Sequence, residues 1–451
     1  MAETLKSARL KFRLRLYKLA WFVFMPVAVL YFWKRGLKDP RYRRHLKERF
    51  GRGPKLPGAV WVHAVSIGEV RSSVPLVEEL LNRNYRVVVT CLTPAGRTEA
   101  ERAFATSIQN CKLVVRYAPL EYEFAFKRFF SECAPQLALV MEIEFWPVMI
   151  EAASKHDIPL FLCNSQYPKK SYDSDRARRS LRRDALSLVA GAFAKSEVHA
   201  GRFRDAGVPF VEATGEMRFD QPVQSRSIRA AGKFASKMKL GFNRRPVVAF
   251  ASVVAGEDAG YVAAMKLIES RCREAGSTVP FFVYIPRAPE RFSESAEILA
   301  GAEVAFARRS EVFDRDLSLT RQEPLALATA LLGDSLGEMN FYLAFSDIVV
   351  VGGGFVKSGA HNIIEPLAHG KPVLVGPNIW TIEHPAIEAI EAGAVVKCET
   401  IESLADRANQ LLASSESYMA MKVAASGFHE SNRGATRKTL DNLPLTAYAR
   451  E

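Results

Sequence analysis

The strongest constraint on the fold is a rhythm. Short, continuously apolar runs, AVWVHAV, YRVVVTCL, QLALVME, IPLFLCN and GAFAKS, each give way to a more polar stretch such as the amphipathic VRSSVPLVEELLNR. Runs this apolar lack the polar alternation of a strand with one wet face, so both faces must be covered. Strands of that kind separated by helices form a parallel sheet with crossover helices. Over residues 221–245 the rhythm breaks into the polar, basic QPVQSRSIRAAGKFASKMKLGFNRR, then restarts with PVVAFAS, PFFVYIP, ALLGD, DIVVVGG and PVLVGP. The 451 residues are therefore expected to hold two Rossmann-like α/β domains facing a cleft. The first is expected over 37–225 and the second over 246–451, ending in a closing C-terminal helix, with 226–245 as linker.

Charge is distributed far less evenly. The formal net charge is +13, and residues 1–55 hold sixteen Lys/Arg against three Asp/Glu, which leaves the rest of the chain neutral. That pattern argues against a nucleic-acid partner, which would need a broad cationic surface, and for a basic segment meeting an anionic one. Within the segment, residues 19–33 (LAWFVFMPVAVLYFW) are continuously apolar. At 1.5 Å per residue they span roughly 22 Å, short of the ~30 Å hydrocarbon core. Trp21, Tyr31 and Trp33 suit an interface, Lys18, Lys34 and Arg35 flank the run, and no small-residue cleavage site follows it. Residues 1–36 are expected to be a shallow membrane anchor whose basic flank faces anionic lipid on the cytoplasmic side, with a buried core helix as the alternative. Six scattered cysteines without a C-x-x-C pair read as reduced core residues.

In an open parallel sheet, ligands gather at the carboxyl ends of the strands, so the loops there carry the candidate chemistry. After AVWVHAV, Gly68 permits a sharp turn and Glu69 opens a helix, where it is either a general base for a hydroxyl or a first-turn acid on the helix dipole. After QLALVM come Glu142 and Glu144, which strand alternation would direct to one side. After DIVVV come Gly352, Gly353 and Gly354, then Asn362 and Glu365 at a helix start, a place suited to an anionic group and a ribose. Two D-x-D triplets, Asp173-Ser174-Asp175 and Asp314-Arg315-Asp316, are read as solvated faces rather than metal ligands. The basic run beside the first, with Arg176, Arg178, Arg179, Arg182 and Arg183, either meets phosphates or is a plain solvated face.

Taken in order, HAVSIGE, MEIEFWP, GEMRFD, PRAPERF, LLGDSLGE and GGGFVKSGAHNIIEP resemble the 3-deoxy-D-manno-octulosonic acid (Kdo) transferases of glycosyltransferase family 30. Each motif alone is weak, but six in one order are specific, and RYRRHLKERFG extends the likeness over nearly the whole chain. The resemblance implies a GT-B fold at the cytoplasmic face of the cell inner membrane. It implies inverting transfer of Kdo from CMP-Kdo to the lipid A precursor lipid IVA in lipopolysaccharide biosynthesis, with no cofactor or metal. By motif, Glu69 matches the family's proton acceptor and Glu142 an acid assigned to the transition state, while Arg218 stands where the family usually has Lys. Pro286, Arg287, Leu336, Gly337, Glu338, Asn362, Ile363, Ile364 and Glu365 match its CMP-binding segments. The chain departs from the pattern at Val253-Val254-Ala255, Ala288, Asn164-Ser165-Gln166 and Trp380-Thr381-Ile382. Those departures leave two alternatives: a GT-B transferase for another nucleotide sugar of the envelope, or a non-catalytic CMP-binding homologue.

Overall fold

The computed structural model describes residues 2–142, 144–178 and 180–445, with the backbone alone at 2–7 and 38. Its contacts divide the chain into two units, Met1–Gln221 with Arg433–Glu451, and Pro222–Asn432. Each is built on one seven-stranded, wholly parallel sheet, as the rhythm of apolar runs requires.

In the first unit the strands are β1 (Val60–His63), β2 (Val87–Cys91), β3 (Leu113–Tyr117), β4 (Leu137–Met141), β5 (Leu160–Ser165), β6 (Gly191–Ala194) and β7 (Val211–Ala213). Their order is β3-β2-β1-β4-β5-β6-β7. The period of two explains why the sheet needs cover on both sides. Trp61, Val88, Ala138, Val140 and Leu162 face one core, and Val60, Val62, Val89, Leu139 and Phe193 face the other.

The second unit holds β8 (Val247–Val253), β9 (Phe281–Pro286), β10 (Phe306–Arg308), β11 (Ala330–Leu332), β12 (Ile348–Val351), β13 (Val373–Val375) and β14 (Val395–Lys397). Their order is β10-β11-β9-β8-β12-β13-β14. In both sheets the winding reverses once, between β1 and β4 and between β8 and β12. At such a reversal the two flanking loops diverge and leave a crevice at the carboxyl ends of the strands.

Two boundaries differ from the sequence reading. The segment read as a linker over 226–245 is mostly the helix Ser225–Met238 of the second unit, with Ser227, Ala231 and Phe234 buried at helical spacing. Phe234 anchors it, 5.0 Å from the rings of Phe313 and Phe345. The chain end, read as part of 246–451, instead returns to the first unit. There Ala435, Leu440, Leu443 and Leu445 enter the core around Val60 and Val62, and Asp220 accepts from the N–H groups of Gly434 (2.6 Å) and Thr436 (2.7 Å).

The N-terminal segment is one helix, Ala2–Lys38. It is longer than the apolar run alone suggested, and Ala8–Leu37, whose most apolar 18-residue window has a mean hydropathy of 1.6, is long and apolar enough to cross a membrane. Two apolar stripes run along it. Leu10, Leu14, Tyr17, Trp21, Met25 and Phe32 dock on the first unit, against Ala185, Leu188, Leu120 and Tyr122 among others. On the opposite side Phe12, Leu16, Leu19, Val23, Val27 and Leu30 are all more than half exposed. The outward stripe excludes the buried core helix that the sequence left open.

Of the six free cysteines, five are buried and Cys111 is exposed. Asp175 is not on a solvated face: it is buried, accepts from the Tyr167 hydroxyl at 2.8 Å and pairs with Arg182. Asp314 accepts from the N–H groups of Asp316 and Ser318. In the basic run, Arg183 pairs with Asp205, and Arg179 lies outside the described residues.

Candidate active site

The reversal in the first sheet brings the β1 and β4 loops side by side, and with them the acids that the sequence placed far apart. Glu69 is the third residue of the helix Ile67–Asn82, whose N-cap is Ser66. Its Oε2 accepts from the Val65 N–H at 2.8 Å and its Oε1 from the Ser66 hydroxyl at 2.9 Å, while the Ser66 oxygen accepts in turn from the Glu69 N–H. This is close to a reciprocal capping box and holds the carboxylate at the loop. Burial, opposed by the Val65 N–H and the Ser66 hydroxyl and aided by the carboxylates of Glu144 and Glu142, brings the Glu69 carboxyl up to about 7. A half-buried acid titrating there is suited to accept a proton near neutrality.

Glu142 sits in the opposite electrostatic setting. It follows β4 directly and adopts φ 60°, a left-handed conformation that a non-glycine residue takes only when its surroundings hold it there. Lys195 Nζ lies 2.8 Å from its Oε2, Arg218 Nη2 lies 3.1 Å from its Oε1, and the Asn164 amide donates to Oε1 at 3.2 Å. Lys195 also pairs with the buried Glu216 at 2.8 Å. Burial alone would raise the Glu216 carboxyl, but Lys195 and Arg218 hold it well below the usual range. The left-handed turn at Glu142 interrupts the strand alternation, yet the charges of both Glu142 and Glu144 reach Glu69. Glu144 accepts from the Trp146 indole at 2.8 Å, and burial raises its carboxyl. Beneath them His63 is buried, hydrogen-bonded to the Thr90 hydroxyl at 2.8 Å and pushed down to about 4, hence neutral. Lys195, Glu216 and Asn164 were not among the candidates. Lys195 directly follows β6 within GAFAKS and Glu216 is the second residue of GEMRFD, three residues past β7, so position near a strand end was the available signal.

In the second unit the corresponding loops follow β8 and β12. Glu257, also not a candidate, is buried and gathers the glycine turn. Its Oε2 accepts from the Gly353 N–H at 2.7 Å, and its Oε1 from the Phe355 N–H at 3.1 Å and the Tyr261 hydroxyl at 2.8 Å. Backbone passes so close here that a Cβ on Gly352 would lie 2.4 Å from the Ser252 oxygen, and one on Gly354 2.5 Å from the Gly376 nitrogen. Beside the turn, Arg287 follows Pro286 of β9, and its guanidinium donates to His361 Nδ1. Burial and Arg287 push the imidazole down to about 4, so it is a neutral acceptor, and burial lowers Arg287 as well. Arg287 and His361 thus place a cation and an imidazole at the mouth of the turn.

The other nucleotide candidates divide by what their side chains already do. Asn362 Oδ1 accepts from the Ile364 N–H at 2.9 Å and caps the short helix Ile364–Ala368, while Ile363 and Ile364 are buried. Glu365 lies in that helix's first turn, partly exposed. Glu338 is bound by Arg309 at 2.6 and 2.7 Å and by the Ser335 hydroxyl. Its carboxylate is fully engaged by these partners. Gly337 has φ 79°, and an added Cβ there would meet nothing within 4 Å.

A family model described as 3-Deoxy-D-manno-octulosonic-acid transferase (kdotransferase) matches residues 44–221. The chain is 35% identical over 433 residues to the 3-deoxy-D-manno-octulosonic acid transferase of Bordetella pertussis, covering 95% of this chain and 98% of that one. It is 30% identical over 423 residues to the protein of the same name from Haemophilus influenzae, covering 90% and 92%. Among solved structures, the UDP-GlcNAc 2-epimerase of Neisseria meningitidis matches with a TM-score of 0.55 at 15% identity, over 85% of this chain and 98% of that one. A glycosyltransferase from Rickettsia africae matches with a TM-score of 0.55 at 12% identity, over 85% and 97%. At those identities the likeness is one of fold.

Proposed function

The chain belongs to the 3-deoxy-D-manno-octulosonic acid (Kdo) transferase family of glycosyltransferases, and from that premise we propose that it moves Kdo from CMP-Kdo to a lipid A precursor, at the cytoplasmic face of the inner membrane. The observation that carries the mechanism is the contrast between Glu69, raised to about 7, and Glu142, held between Lys195 and Arg218. Glu69 is thereby suited to the proton transfer, and Glu142 to holding two cations in place.

In this reading Glu69 takes the proton of the acceptor hydroxyl as its oxygen forms a bond to the anomeric carbon of Kdo. The bond from that carbon to the phosphate oxygen breaks, and CMP leaves with the electron pair. Attack from the face opposite CMP inverts the anomeric centre. Arg218, steadied by Glu142, is the cation for the sugar carboxylate, and Arg287 is the cation for the phosphate. Glu365 accepts from the ribose hydroxyls, and the backbone of Leu336–Gly337 borders the nucleotide. The outward stripe and basic flank of the N-terminal helix supply the membrane contact.

Incubation of the purified full-length protein with CMP-Kdo and lipid IVA tests this directly. The expected result is an acceptor heavier by one or more Kdo residues in the mass spectrum. Transfer from another nucleotide sugar, with none from CMP-Kdo, would move the assignment to a different donor. Tight CMP binding with no transfer from any donor would leave a binding protein and sink the enzyme reading.

A further inference from the structure

One buried carboxylate has no part in the reaction just described. Glu121 is 5% exposed and lies outside both loops at the sheet reversal. Its Oε1 accepts from the Met149 N–H at 3.0 Å and its Oε2 from the Val148 N–H at 3.2 Å. These are first-turn amides of the helix Pro147–Lys155, whose N-cap residue Trp146 makes no side-chain cap. Glu121 therefore does the capping from a distant part of the chain, and its charge complements the helix dipole.

Tyr17 of the N-terminal helix packs against the core that holds Val148 and Met149, beside the Glu121 carboxylate. One residue further along that helix, Lys18 Nζ lies 2.5 Å from Glu151 and 2.8 Å from Glu123. Glu151 belongs to the helix Pro147–Lys155. The N-terminal helix thus meets that helix twice, near its first turn through the packing of Tyr17 and along its length through the Lys18–Glu151 ion pair. What precedes the helix is the acidic loop: the Trp146 indole holds Glu144 at 2.8 Å, and its ring meets His63 edge-on at 5.2 Å.

We propose that Glu121, together with Tyr17 and Lys18 of the lipid-facing helix, positions the helix Pro147–Lys155 and with it Trp146 and Glu144, so that docking of the N-terminal helix governs turnover. The link to turnover rests on the transferase reading, whereas the coupling itself does not. An anchor joined to the body only as a tether would not need packing and an ion pair on a helix that starts at the acidic loop.

Hydrogen exchange on the full-length protein separates the two parts. Tyr17→Phe, Lys18→Met and Glu121→Gln should each speed exchange at Val148, Met149 and Ile150 by roughly tenfold, about what losing a cap or a charge-assisted hydrogen bond does. Amides elsewhere should keep their rates. With CMP-Kdo and lipid IVA, turnover should fall by about tenfold at unchanged KM for the donor, the mark of lost transition-state placement rather than lost binding. If Glu121→Gln does not fold, the two variants on the N-terminal helix still decide. Unchanged exchange at these amides overturns the proposal, and so does a rise spread evenly over the first unit. Raised exchange with full turnover overturns its catalytic half. A wild type that transfers nothing defeats the transferase reading, yet the exchange result still decides the coupling.

Discussion

Glu69 and Glu142 are the same side chain at the ends of two neighbouring strands, and their neighbours give them different work. Glu142 is engaged in ion pairs with Lys195 and Arg218, whereas burial has raised the Glu69 carboxyl to about 7. Glu69→Gln keeps the shape and most of the cap, so the melting temperature should change little while turnover falls by roughly 10²–10⁴-fold. The wild-type pH profile has a definite sign. A base must be unprotonated to act, so kcat/KM should fall as pH drops through about 7, the value to which burial raises Glu69. A flat profile between pH 6 and 8 would remove Glu69 as the base. On the second unit, Arg287→Ala and Glu365→Ala should each weaken CMP binding by about ten- to a hundredfold, the loss of one charged hydrogen-bonding partner. Calorimetry with CMP alone checks this, and unchanged affinity in both folded variants rejects the nucleotide placement.

At the scale of the element, the N-terminal helix has two apolar faces with different duties. Its docked stripe, from Leu10 to Phe32, covers 23 residues, or about 34 Å of helix. That length rivals the hydrocarbon core, so a helix docked throughout could not cross it upright without taking Glu123, Glu151 and Lys155 along. Each such charge costs roughly 2.5–3.5 kcal/mol at the bilayer centre even on the mildest scale. The docked helix therefore fits a position in the interface, with Leu19, Val23, Val27 and Leu30 in lipid. Replacing these four with Ser should lower vesicle binding by at least about a hundredfold, since a fully buried apolar side chain contributes about 1.5–3 kcal/mol. Melting temperature should hold, because the docked stripe is untouched. Co-sedimentation with anionic vesicles is the measurement, and full binding by the variant would place the membrane contact elsewhere.

For the molecule as a whole, the last described residues belong to the first unit, not to the one they follow in sequence. Leu440, Leu443 and Leu445 are buried in its core. Removing them forfeits roughly 1.5–3 kcal/mol each, a large part of a domain stability of about 5–15 kcal/mol. Truncation after Asn432 should therefore unfold the first unit well below the wild-type melting temperature and leave CMP binding by the second nearly intact. A truncated protein with wild-type melting would refute that accounting.

The sequence by itself determined the two parallel sheets, because strands covered on both faces must be continuously apolar, and ten of them were legible for that reason. The four that were not read, β3, β7, β10 and β14, are the edge strands of the two sheets. β7, β10 and β14 are covered less and carry Glu212, Arg308 or Lys397, so their runs are short or broken, while the run of the mostly buried β3 is broken by Arg116. Motif order likewise made Glu69, Glu142, Arg218 and Arg287 legible, since each stands at a strand end or in a loop beside one. Only the tertiary structure decided which of them meet. Strand order is set by long-range packing that leaves no local trace, and it alone puts β1 beside β4 and β8 beside β12. The pairing of Lys195 with both Glu142 and Glu216, and of Glu257 with the glycine turn, follows from that order. So does the raised Glu69, because burial and neighbouring charge are properties of the folded surroundings and not of the residue.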